Sequence, residues 1–149
     1  MIIAERMLKE TGIMKSITLP ATLENMDDVL DFVNGVLEEH DCPMKASMTI
    51  AIAVEEIFVN IAHYAYPSGE GEATVCCEVE QGERPCAVIR LSDSGIPYNP
   101  LAHEDPDVTL SAEERKIGGL GIYMVKKSMD SVEYQHQDGQ NVLTLRKFL

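Results

Sequence analysis

The run MKASMTIAIAVEEIFVNIAHYAY, residues 44–66, decides how the rest of the chain is read. Met48, Ile50, Ala51, Ile52, Val54, Ile57, Phe58, Val59 and Ile61 fill most of it. A helix that is apolar round most of its circumference belongs in a core. Glu56, Asn60 and His63 interrupt the pattern at i, i+4 and i+7, which sets them on one face. Burying a polar group without a partner costs roughly 2–7 kcal/mol. That face is therefore either the wet side of an amphipathic helix or the wall of a site. In the second case the Asn60 amide oxygen can ligate Mg²⁺, a hard cation that takes oxygen ligands and keeps several waters. The Glu56 carboxylate, one turn earlier, can act as general base toward a water or hydroxyl near that metal. His63 fits packing better than ligation.

Working outward, Pro67-Ser68-Gly69 ends this helix, and Asp41-Cys42-Pro43 separates it from an earlier one. That earlier helix is predicted from an N-cap at Thr22 to about Glu39, with Leu23, Met26, Val29, Leu30, Val33 and Leu37 at helical spacing. Lys15 to Leu19 reads as a first strand stopped by Pro20. Residues 1–14 read as an N-terminal extension of unclear role, a short helix or a disordered segment. Downstream, Thr74–Glu80 and Ala87–Ser92 read as strands joined by Gln81-Gly82-Glu83. Asp93 to Pro100 is a loop, and the polar, aperiodic stretch 101–116 reads as a lid. A helix over Gly119–Met129 and a hairpin, Ser131–His136 with Val142–Lys147 across Asp138-Gly139, complete the chain. The expectation is one domain over 15–149, in the order β-α-α-β-β-lid-α-β-β. Its fold class is an α/β (α+β) sandwich: a mixed, mainly antiparallel sheet covered on one face by helices.

Composition narrows the function classes. The 149 residues carry 12 Lys and Arg against 25 Asp and Glu, a formal net charge of −13. No basic cluster supplies the footprint that nucleic-acid binding needs, and an anionic membrane surface is disfavoured for the same reason. A phosphate ligand would need a divalent cation or backbone dipoles to offset the acidic surroundings. Cys42, Cys76, Cys77 and Cys86 form no CxxC pair and read as reduced thiols used as small apolar residues. The chain shows no signal peptide and no apolar run of about 18 residues, so the expected location is cytoplasmic.

Two further segments carry chemistry. In Asp93-Ser94-Gly95-Ile96-Pro97-Tyr98-Asn99-Pro100 the Asp and Gly alone are ordinary turn residues. Two prolines, Pro97 among them, make the loop rigid. A carboxylate held at the bottom of a pocket can accept a hydrogen bond from the exocyclic amine of adenine. Gly95 would let a base lie against the backbone. Gly118-Gly119-Leu120-Gly121 opens a helix, and a glycine-rich turn at a helix N-terminus presents N–H groups and the positive dipole end to phosphate. It lacks the Lys-Ser/Thr of a P-loop and the preceding strand of a dinucleotide fingerprint.

Together, EEIFVNIAHYAYP (55–67), SDSGIPYNP (92–100), GGLGIYMVKKSMDSVEY (118–134) and GQNVLTLRK (139–147) resemble the N, G1 and G2 boxes and the closing strand of the GHKL ATPase superfamily. The resemblance is nearest to its small bacterial branch of anti-sigma factors that are serine-protein kinases. It implies a Bergerat-type ATPase fold binding ATP and Mg²⁺. Glu56 matches the general base and Asn60 the metal ligand. Asp93 matches the adenine-binding aspartate, Gly95 the glycine beneath the base, and Pro97 belongs to the same loop. Gly118, Gly119, Leu120 and Gly121 match the phosphate turn, and 101–117 the lid. Family members often carry an arginine directly before the glycine turn. This chain has Ile117 there, with Lys116 and Arg115 the nearest cations. The implied function is transfer of the γ-phosphate to a serine of a STAS-type antagonist by a homodimer that also sequesters a sigma factor. The alternative is a nucleotide-gated partner-switch module with little kinase activity.

Overall fold

The computed structural model describes residues 6–7, 14–102 and 119–149. In chain order these form β1 (Arg6–Met7), β2 (Lys15–Pro20), α1 (Met26–Glu39), α2 (Met44–Tyr64), β3 (Glu72–Glu80), β4 (Cys86–Asp93), α3 (Gly119–Ser128), β5 (Ser131–Gln137) and β6 (Gln140–Phe148). The strands build one six-stranded sheet in the order β1-β2-β3-β4-β6-β5. Every pairing is antiparallel, so the parallel component of the expected mixed sheet is absent among the described residues. The cause is topological. β5 takes the outer position, and β6 turns back beside β4, antiparallel to both.

Period-2 alternation sends one set of side chains from each strand to the helical side. Ile17 and Leu19 of β2, Val75, Cys77 and Val79 of β3, Ile89 and Leu91 of β4, and Leu143 and Leu145 of β6 are buried there. They form one core with Val29, Val33 and Leu37 of α1, with Ile50, Val54, Ile57 and Phe58 of α2, and with Ile122 and Val125 of α3. The opposite face carries Thr18 and Thr74, whose hydroxyls pair at 2.8 Å, with Glu78, Arg90 and Arg146 also half-buried there. The α/β sandwich with helices on one face is the architecture expected.

Several expectations need correction. Within the N-terminal extension Arg6 and Met7 pair with Ile17 and Ser16 as an edge strand, and residues 1–5 and 8–13 lie outside the described residues. Thr22 caps only a 3₁₀ turn, Leu23–Asn25, and makes no side-chain cap bond. The α-helix begins at Met26 because buried Asn25 instead ties the turn down, donating from Nδ2 to the Pro20 carbonyl at 2.9 Å and to Thr22 Oγ1 at 3.1 Å. Leu23 is exposed as a result. By length and mean hydropathy, 1.3, α2 is apolar enough to cross a membrane despite Glu55 and Glu56. Its inner face packs in the core, so it reads as a core helix. The hairpin turn behaves as expected: Asp138 and Gly139 have φ of 54° and 77°, the left-handed pair of a two-residue type I′ connection. Most of the expected lid lies outside the described residues.

Candidate functional site

β4 ends at Asp93, which is 6% exposed, and the chain turns there against the C-terminus of α2. The Ile96 N–H donates to the Ala65 carbonyl at 2.9 Å. A Cβ on Gly95 would lie 2.2 Å from that same carbonyl oxygen. Gly95 is therefore required by the approach of α2. The space its missing side chain leaves is taken by Ala65.

Tyr66 fastens the loop from behind. Its hydroxyl donates to the Glu72 carbonyl at 2.6 Å and accepts from the Ser94 N–H at 2.8 Å. A Cβ on Gly71 would strike its ring at 2.2 Å. Burial is the main cause that raises the Tyr66 hydroxyl above its ordinary pKa, so it stays a donor. This tether also explains why α2 stops at Tyr64, two residues earlier than its sequence suggests.

Asp93 Oδ1 accepts two bonds, from the Gly95 N–H and from Asn141 Nδ2, each 2.9 Å. Among the described residues no group donates to Oδ2, and none of their buried side-chain oxygens is left unpartnered. Oδ2 is therefore the carboxylate oxygen left for the cleft that Asp93 helps to line. Ile57, Ile61, Leu91 and Leu143 supply its apolar floor, and Tyr64, Tyr98 and Tyr134 stand in its walls. The Tyr64 and Tyr98 rings lie 6.0 Å apart, tilted by 37°. Burial first, then the neighbouring Tyr64, raises the Tyr98 hydroxyl.

The polar face of α2 divides. Asn60 lines the cleft. Glu56 lies beside α3, where a Cβ on Gly121 would fall 2.3 Å from its Oε1. His63 is exposed, edge-on to Tyr64 at 6.0 Å, and does not line the cleft. Gly119 and Leu120 open α3. Pro97 is exposed and off the cleft wall, while its neighbours Ile96 and Tyr98 line it. Lys116 and Gly118 lie outside the described residues. Among the described residues no Lys or Arg lines the cleft, and no cluster of three or more His, Cys, Asp or Glu offers a metal cage. An amide and a carboxylate one helical turn apart do suit Mg²⁺, which retains waters and needs few protein ligands.

Sequence reading missed Tyr64, Tyr98, Tyr134 and Asn141. Asn141 was findable: it shares strand parity with Leu143 and Leu145, so an inward-facing polar residue could be read from the alternation. Tyr134 was findable in the same way, from its parity with Val132, whereas Tyr64 and Tyr98 carried no such signal.

The chain resembles known proteins in both sequence and shape. The serine/threonine-protein kinase BtrW of Bordetella bronchiseptica is 24% identical over 130 residues, spanning 87% of this chain and 90% of that one. The serine-protein kinase RsbW of Listeria monocytogenes is 26% identical over 133 residues, 86% and 83% of the two chains. A chain in the crystal structure of the SiaB-SiaC complex from Pseudomonas aeruginosa shares the fold. It aligns with a TM-score of 0.55 at 16% identity, over 92% of this chain and 91% of that one. Residues 19–147 match the histidine kinase-like ATPase domain, and the chain belongs to that family.

Proposed function

We propose that this protein binds ATP with Mg²⁺ and transfers the γ-phosphoryl group to a serine of a partner protein. The observation that carries the reading is the convergence of an unmet Asp93 oxygen, Asn60 and the Glu56–Gly121 contact along one side of α2. In this reading residues 15–149 are one ATPase domain. Asp93 Oδ2 accepts the adenine amine, and apolar residues such as Ile57 and Leu143 exclude water around the base. Gly119, Leu120 and Gly121 present the N-terminal amides of α3 to phosphate. Asn60 holds the metal, and Glu56 takes the proton of the attacking serine hydroxyl. When bound, Mg²⁺ neutralises phosphate charge that the acidic chain cannot. Lys116, Gly118, Gly95 and Pro97 complete the candidate set from the sequence, with Gly95 acting through loop shape.

The names of the relatives support a serine-protein kinase. The resemblance of the sequence adds a STAS-type antagonist as substrate, a sigma factor as second partner, a homodimer and a cytoplasmic setting. Incubation with labelled ATP and a cognate STAS protein tests this directly. Label should reach the partner's serine with wild type and fall at least about 100-fold with Glu56→Gln, the scale of a lost general base. No transfer with either protein overturns the kinase reading. Calorimetry tests the nucleotide site separately. Asp93→Asn should weaken ATP about 10- to 100-fold, as expected for losing a bond to a charged group. Equal binding by both proteins removes Asp93 from the site.

A second reading, a nucleotide-gated partner switch with little turnover, is favoured by Ile117, which stands where family members often carry an arginine. It predicts ATP-dependent capture of the partner that survives Glu56→Gln.

A further inference from the structure

We propose that Asn141 and Tyr134 form a clasp that aims the Asp93 carboxylate, and so set the preference for a base bearing an exocyclic amine. The inference rests on the nucleotide-site reading above. Asn141 stands directly opposite Asp93 in the β4–β6 register and is 7% exposed. An asparagine amide has two donor hydrogens and two acceptor positions, and here all four are engaged. Nδ2 donates to Asp93 Oδ1 at 2.9 Å and to the Ile96 carbonyl at 2.8 Å. Oδ1 accepts from the Tyr98 N–H at 3.2 Å and from the Tyr134 hydroxyl. Turning the amide over would set oxygen against the Asp93 carboxylate and the Ile96 carbonyl, and NH₂ against the Tyr98 N–H. The protein alone therefore dictates its orientation.

Tyr134 reaches this point because β5 places it on the inner face, opposite Leu143. The consequence falls on Asp93. With Oδ1 held by both Gly95 and Asn141, the plane of the carboxylate is fixed, and Oδ2 is the oxygen left for the cleft that Asp93 lines. An adenine amine donates to that oxygen. Inosine presents a carbonyl at the same position, and acceptor then meets acceptor. Discrimination of this kind survives only if the carboxylate cannot swing away. Asn141 and Tyr134 are positioning residues, since their hydrogen-bonding groups are engaged with protein.

Calorimetry with Mg-ATP and Mg-ITP on wild type, Tyr134→Phe, Asn141→Ala, Asp93→Asn and the Asn141→Ala/Asp93→Asn double variant tests the clasp. Wild type should prefer ATP. The ATP/ITP affinity ratio should fall about tenfold in Asn141→Ala and about threefold in Tyr134→Phe, the range of one or two hydrogen bonds. ITP binding should barely change. In the Asp93→Asn background Asn141→Ala should leave the ratio where it was, because the two residues act through one contact. An equal loss of both nucleotides, or an unchanged ratio in both single variants, overturns the clasp while leaving the site intact. Wild type that binds no ATP overturns the site reading and the clasp together. Tyr134→Phe removes one oxygen from a half-buried ring, so it carries the test even if Asn141→Ala does not fold.

Discussion

Two glycines near the cleft look alike in sequence and behave differently in the structure. The Cβ that Gly95 lacks would meet a backbone carbonyl, Ala65 O, and backbone at a helix end cannot step aside. Gly95→Ala should cost about 1–3 kcal/mol, the range for overpacking, and chemical denaturation would read the loss. The Cβ that Gly121 lacks would meet the tip of the Glu56 side chain, 2.3 Å from Cδ and Oε1. That tip can rotate away, and alanine is favoured over glycine in a helix by about 1 kcal/mol. Gly121→Ala should therefore leave the midpoint of unfolding nearly unchanged while cutting phosphotransfer at least about tenfold by moving the proposed base. Full phosphotransfer in Gly121→Ala would count against Glu56 as that base.

At the scale of elements, α2 shows what periodicity conveys. Its 3.6-residue repeat made the buried face legible, and Ile50, Val54, Ile57 and Phe58 are indeed within 2% of full burial. Phe58→Ala should cost about 3–5 kcal/mol in a urea titration, the range for an aromatic truncated in a core. A loss below about 1 kcal/mol would mean that the core collapses to fill the space. The same repeat placed Glu56, Asn60 and His63 on one side but could not say what each meets. That depends on the neighbours: α3 comes up against Glu56, the cleft opens at Asn60, and solvent reaches His63. Helix ends were legible only approximately. Thr22 and Tyr66 each have reasons to belong to a helix, and the short-range bonds of Asn25 to Pro20 and Thr22, with those of the Tyr66 hydroxyl to Glu72 and Ser94, overrule them.

At the scale of the molecule, burial sorts the thiols. Cys77 lies in the core, and desolvation pushes its thiol up to about 12; Cys86 is raised mainly by burial as well. Cys42 and Cys76 are half-buried. Iodoacetamide at pH 8 should label Cys42 and Cys76 well before Cys77, which should react only with unfolding; peptide mass mapping would follow it. Early labelling of Cys77 would mean that the core opens at that strand. The raised thiol also has a stability consequence. A proton held more tightly in the folded state contributes stability that is complete below the ordinary thiol pKa, 9.0 here, and is lost as pH rises toward 12. A Cys77→Ala variant should therefore show a shallower fall in stability over that interval.

By itself the sequence determined the order of the elements from β2 onward, the helical and strand periods, the Asp138-Gly139 turn and the three segments that carry the candidate residues. These depend on local backbone preference and on the spacing of apolar residues, which a chain carries wherever it goes. Only the tertiary structure decided that Arg6 and Met7 join the sheet, that Gly95 yields to Ala65, and that Tyr134 and Asn141 reach Asp93. Asn141 is 48 residues from Asp93 along the chain. Strand order and register brought them together, and no local pattern encodes either.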